Sequence, residues 1–249
     1  MIFSCVVLAL AGFIAGAQNA VAGGGSFLTF PALLFAGLDP RAANITSTIA
    51  LFPGQATTGW AGRRMAEGAA GLSLGTLFIV SVIGGAIGAV LLLATPVSIF
   101  THLVPWLILF ATLVFVWGSF FRKKREEDAP APISPRTAVA LQFLIAIYGG
   151  YFGGGIGILM LAALTAVGLS VRHAGATKNV LAGVVNVAAV AIFLVESKQN
   201  WVLVLVLGIS AIIGGQAGVL ILRHVPERVL RVVVTCIGVA LTIGMFVRA

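Results

Sequence analysis

The sequence predicts an all-α, polytopic membrane protein built from two inverted repeats with glycine-broken helices. Three observations predict it: too few charges for a water-facing surface, a self-match at a nearly constant offset, and equivalent loops that differ in basic charge. Of 249 residues, 60% are hydrophobic and 9% charged, against about 25% charged in a soluble domain. Mean hydropathy is +1.13. Such side chains suit a lipid-facing surface, and apolar runs of about 20 residues match a hydrocarbon core about 30 Å thick. No length remains for a separate soluble domain, so residues 1–249 read as a single membrane domain.

In chain order the hydrophobic stretches are 2–21, 26–38, 44–61, 72–94 and 97–121, then 137–152, 156–169, 176–195, 201–222 and 229–247. The first ends in small residues, as a cleaved leader does, but no Lys or Arg precedes Arg41, so it is expected to be a retained membrane segment. The second stretch of each half is only about 13 residues long, short of the roughly 17 to 25 of a full span. Each is expected to be a half-helix or a tucked segment. The remaining stretches are long enough, or nearly so, to cross.

The self-match begins with Gly23-Gly24-Gly25 and Gly153-Gly154-Gly155, an offset of 130. The same offset relates Ile83-Gly84-Gly85-Ala86-Ile87-Gly88 to Ile213-Gly214-Gly215-Gln216-Ala217-Gly218, and Pro96 to Pro226. Between these anchors it becomes 131, pairing Gly37-Leu38 with Gly168-Leu169, Arg41 with Arg172, Thr46 with Thr177 and Gln55 with Asn186. Residues 1–121 thus form a first repeat, 122–136 a linker and 137–249 a second repeat. Ten of the fifteen basic residues fall at Arg63, Arg64, the cluster Arg122, Lys123, Lys124 and Arg125, and Arg136, Arg223, Arg228 and Arg231. The positive-inside rule puts all of these, linker included, in the cytoplasm. Their equivalents, Thr95-Pro96 and Glu196-Ser197-Lys198, are uncharged or mixed, so matching loops are expected on opposite faces and the repeats inverted.

A net charge of +8 does not point to nucleic acid, because the largest basic cluster is followed at once by Glu126, Glu127 and Asp128 and reads as a topology signal. The expected partners are the lipid bilayer and a small solute, with an oligomer left open. Cys5 and Cys236 sit in apolar runs without metal-ligand spacing and read as fillers.

Glycine is costly in a helix interior, at about 1 kcal/mol against alanine, and readily takes positive φ. Residues 23–25 and the longer run Gly149-Gly150-Tyr151-Phe152-Gly153-Gly154-Gly155-Ile156-Gly157 are therefore expected to break their helices. Irregular backbone at membrane depth needs cover from protein or a watery cavity. Helices restarting at Ser26 and Ile156 would aim N–H groups and a positive dipole end into such a cavity, an arrangement that suits anions. Close helix packing is the competing reading of these glycines, and it is preferred for Gly84, Gly85, Gly88, Gly214, Gly215 and Gly218. A nucleotide loop is excluded: no strand, P-loop lysine or ribose-binding acid accompanies them.

Polar residues follow at matching positions. Ser47, Leu51 and Gln55 stand at i, i+4 and i+8, as do Lys178, Ala182 and Asn186, so each helix carries a polar stripe expected to face the interior. Lys178, flanked by Thr177 and Asn179, is either a functional intramembrane cation or one that snorkels to the headgroups. Gln18 and Asn19 either donate to a ligand or satisfy carbonyls freed by the break. The candidate substrate-binding set is Gln18, Asn19, Gly23, Gly24, Gly25, Ser47, Gln55, Gly153, Gly154, Gly155, Lys178, Asn179 and Asn186. All seven acidic residues fall at segment edges or in loops, which argues against proton or sodium carriage by carboxylates. His102, His173 and His224 also lie near segment ends. No nucleophile–base pair, metal or cofactor is expected, and the chain reads as a transporter rather than an enzyme, with a carrier for a different small anion or neutral metabolite, or a non-transporting membrane subunit, as the competing readings.

The segment 16–31 with its triple glycine, the segment 148–157, and two halves joined by a charged linker resemble the TauE/SafE family of sulfite exporters over essentially the full chain. The resemblance implies an inner-membrane carrier that exports sulfite or another small sulfur-containing anion. One departure is that Pro31 of the first half is matched by Leu161 in the second.

Overall fold

The computed structural model describes residues 2–21, 24–117, 133–196, 199–222 and 227–248. Gly23, most of the charged linker, Lys198 and Arg223 lie outside the described residues. The described chain is all helical: α1 (Ile2–Val21), α2 (Ser26–Phe35), α3 (Pro40–Gly62), α4 (Leu74–Ala94), α5 (Val97–Val116), α6 (Pro135–Tyr151), α7 (Ile156–Ala166), α8 (Val171–Glu196), α9 (Trp201–Leu222) and α10 (Glu227–Arg248). Among the described residues, 74–94, 97–114 and 172–196 are long and apolar enough to cross a membrane. Large apolar side chains such as Ile79, Val90, Leu113 and Val195 face outward, while Gln18, Asn44, Ser47, Lys178 and Asn186 are buried. This is the distribution of a multi-pass membrane protein.

Local chemistry sets the helix ends. Asp39 accepts from the N–H groups of Arg41 and Ala42, with Pro40 at the first helical position, so α3 starts four residues before its apolar stretch. Likewise α8 starts at Val171, ahead of the apolar run expected from residue 176. The two short helices close alike. Gly37 (φ +94) and Gly168 (φ +108) take the left-handed conformation. Leu38 N–H reaches back to Leu33 O at 3.2 Å and Leu169 N–H to Leu164 O at 3.1 Å, the wide loop of a Schellman cap.

Each short helix doubles back on its predecessor. The Phe35 ring meets Phe3 edge-on at 6.1 Å, which brings the end of α2 to the start of α1. Ala163 of α7 and the capping residue Val167 share a small cavity with Ala138 and Gln142 of α6. The bundle then has two ends. At one, Arg41 donates to Leu93 O and Thr95 O, joining the start of α3 to the end of α4. At the other, the α3–α4 loop meets the start of α8: His173 Nδ1 lies 2.6 Å from Glu67 Oε1, and Thr177 Oγ1 bonds both N–H and O of Glu67. We call these the Thr95 end and the Glu67 end.

Small residues let backbones touch. A methyl on Gly12 would meet Leu207, one on Gly16 would run into Ala211, and one on Gly214 into Phe13, so α1 and α9 run parallel in contact. Gly84 fits Ala146, Gly88 fits Ile147, and Gly150 fits Gly85, packing α4 on α6 in the same sense. This corrects the expectation for Gly149 and Gly150. Both lie inside α6, where Gly150 serves packing, and the interruption is confined to Phe152–Gly155.

Candidate functional site

The backbone between α1 and α2, and between α6 and α7, needs glycine. Gly24 (φ +88), Gly153 (φ +73) and Gly155 (φ +76) occupy the region that an L side chain rarely enters. Both turns are braced by the helix before them. Gln18 Nε2 donates to Gly24 O at 3.4 Å, and Gly25 N–H donates to Asn19 Oδ1 at 2.8 Å. In the second turn Tyr148 donates its hydroxyl to Gly154 O at 2.7 Å.

The turns abut one another. A methyl on Gly24 would stand 3.6 Å from the Ile158 side chain of α7, and one on Gly155 would stand 3.5 Å from the Phe27 ring of α2. Where they meet, a cleft is lined by Asn19, Gly24, Ser26, Gln55, Thr58, Gly153, Ile156, Gly157, Lys178, Asn179 and Ala182. It leaves about 30 Å³ for water, against the roughly 10–15 Å³ that one water needs. The gap is thus narrow and polar. Gly157 N–H, in the first turn of α7, has no acceptor among the described residues.

Lys178 supplies the charge. It is 5% exposed, in the second turn of α8, and held at that depth by the neighbouring Thr177–Glu67 bonds. Among the described residues the one ion pair is His173–Glu67, so no carboxylate partners Lys178. A buried ammonium without a counter-ion, beside three amide side chains and an unbonded backbone N–H, can bind an anion by charge-assisted hydrogen bonds.

The cleft gathers six of the sequence-predicted residues: Asn19, Gly24, Gln55, Gly153, Lys178 and Asn179. Gln18, Gly25 and Gly154 stand behind it as turn residues and braces. Gly155 caps α7, and Asn186 donates its amide to Gln55 Oε1 from the facing helix. Ser47 lies elsewhere. Its hydroxyl pairs with Thr29 at 2.6 Å, two turns of α3 toward the Thr95 end. Sequence reasoning missed Thr58 in the lining, and it named Ser26 and Gly157 for the helix restart and the glycine run without including them in the candidate set. Thr58 follows Gln55 by three residues and so shares its helix face, a signal the polar-stripe reading had available. It also missed the Glu67 clamp, which joins positions 110 residues apart. Among the described residues no group of His, Cys, Asp and Glu could hold a metal.

Comparison with known proteins points the same way. The family described as "Sulfite exporter TauE/SafE" matches residues 8–245. A probable membrane transporter protein of Haemophilus influenzae is 28% identical over 244 residues, covering 96% of this chain and 93% of that protein. A Sinorhizobium protein of the same description is 29% identical over 242 residues, covering 96% and 90%. The Escherichia coli probable membrane transporter protein YfcA is 25% identical over 246 residues, covering 95% and 87%.

Proposed function

The chain belongs to the sulfite exporter TauE/SafE family of membrane transporters, and from that premise we propose that it carries sulfite or a related small sulfur-containing anion out of the cell, with Lys178 anchoring the charge. The observation that carries this reading is the burial of Lys178 without a carboxylate, in a cleft where two glycine turns and three amides converge. In a low-dielectric setting an unpaired ammonium is costly, and an arriving oxyanion relieves that cost. Asn19, Asn179 and Gln55 then supply oriented amides, and Gly24 and Gly153 let the backbone approach closely.

The transport cycle follows from the two halves, 1–121 and 137–249, read as inverted repeats. Support comes from the matched Schellman caps at Gly37 and Gly168, and from the parallel α1–α9 contact, which has its counterpart in α4–α6. Rocking one half against the other would widen the narrow cleft to either end in turn. In this topology the 122–136 linker and the Glu67 end face the cytoplasm, and the N-terminal end of α1 lies across the membrane.

Radiolabelled sulfite flux into proteoliposomes, with and without a pH gradient, tests the substrate, and counterflow with sulfate and organosulfonates tests its range. We expect saturable sulfite flux whose kcat/KM falls at least tenfold in Lys178→Met. Counterflow by a neutral metabolite, or by anions lacking sulfur, with none by sulfite or sulfonates, sinks the assignment.

A further inference from the structure

We propose that a second cleft, between α1, α3 and α9, is the vestibule through which the anion reaches Lys178, and that Asn19 is its threshold; this rests on reading the site as an anion site. The cleft encloses about 170 Å³ and is lined in part by Thr57, Thr58, Ala211, Gly215 and Gln216. It shares Asn19 and Thr58 with the Lys178 cleft, so the two spaces are neighbours divided by those side chains. The fold explains the opening. Glycines line it from all three helices, Gly16 of α1, Gly54 of α3 and Gly215 of α9, and leave room between them.

The Thr95 side is shut. There Phe27, Phe30, Phe152 and Ile108 surround a gap of only about 10 Å³. The second tip is tied down by the Asn44 amide, which donates to Tyr151 O at 3.0 Å, and by the Tyr151 hydroxyl, which donates to Thr95 Oγ1 at 3.3 Å. On this reading the protein stands open toward the Glu67 end and closed toward the other.

Hydrogen-bond accounting singles out Asn19. Thr57 gives its hydroxyl proton to Gly54 O at 2.8 Å, and Thr58 gives its own to Gln55 O at 2.9 Å, so both offer lone pairs to the vestibule. An anion needs donors instead. The Asn19 carbonyl oxygen is occupied by Gly25 N–H, which orients the amide and leaves its NH₂ group for the two clefts. The same side chain fixes the first turn and meets the anion on its way to Lys178. Asp at this position keeps the acceptor for Gly25 N–H while replacing the donor by a negative charge. It therefore separates the two duties.

The test uses full-length protein carrying Cys5→Ala and Cys236→Ala, reconstituted in liposomes, with single cysteines read by a membrane-impermeant sulfonated maleimide that is removed before sulfite is added. Met65→Cys marks the Glu67 end and Ser98→Cys the Thr95 end. We expect Thr57→Cys to react from the same side as Met65→Cys, and its modification to cut sulfite flux at least tenfold. Asn19→Asp should raise KM for sulfite about tenfold at an unchanged unfolding temperature. Reaction of Thr57→Cys from the Ser98 side, or full modification without loss of flux, overturns the vestibule. Wild-type kinetics in Asn19→Asp overturn the threshold. If the unmodified protein moves no sulfite, the substrate assignment fails, while the sidedness of labelling still decides the vestibule.

Discussion

The two glycine turns match in sequence and differ in backbone, left-handed at Gly24 in the first and at Gly153 and Gly155 in the second among the described residues, and they differ in what surrounds them. Around the first stand Gln18 and Asn19, amides that brace it and face polar space. Around the second stand Tyr148, Phe152 and Phe110, with ring centroids 5.6 Å apart for Phe110–Tyr148 and 6.1 Å for Tyr148–Phe152. The matching stripes differ too: Lys178 enters the polar cleft, while its counterpart Ser47 spends its hydroxyl on Thr29. Matching glycine runs thus sit beside amides at one turn and beside aromatic rings at the other, because conformation depends on glycine and chemistry on its neighbours.

The strongest way to break this comparison is to exchange its charges. Lys178→Met should lower kcat/KM for the anion by about 10- to 100-fold, since a hydrogen bond to a charged group contributes ~1.5–3 kcal/mol. Ser47→Ala should change it less than threefold. Equal losses would mean that both stripes serve the substrate. Next come the turns. Gly24→Val forces a β-branched residue into φ +88 and should abolish flux while the protein still inserts, as judged by membrane-fraction yield. Gly154 lacks that constraint, and a methyl there first meets the Phe152 ring, a side chain that can turn aside, at 2.6 Å. Gly154→Val should therefore retain measurable flux, and a full loss would show that the second turn must be as well formed as the first. The smallest effect belongs to the brace: Tyr148→Phe removes one hydrogen bond, worth about 1 kcal/mol, and should lower the unfolding temperature by roughly 2–4 °C with little change in KM.

Much of this architecture is legible in the chain, because membrane segments announce themselves by length and glycines by conformation. The half-helices follow from stretches too short to span, and Gly37 and Gly168 mark their ends. Other features need a partner helix to become visible. Nothing local tells the packing glycine Gly150 from the turning Gly153, since only the nearness of Gly85 assigns the first to contact. Depth is similarly hidden. Ser47 and Lys178 match in sequence, yet α3 starts at the Thr95 end and α8 at the Glu67 end, so the two residues lie toward opposite ends of the bundle. The early starts of α3 and α8 were obscured because polar caps precede the apolar runs used to find them.

The fastening of Thr177 to both backbone atoms of Glu67 lies one residue from Lys178. It turns the loop after α3 and the first turns of α8 into one stiff block. The cation proposed to hold the anion is therefore mounted on a bracket, and the motion that carries cargo across is expected to bend the chain away from it.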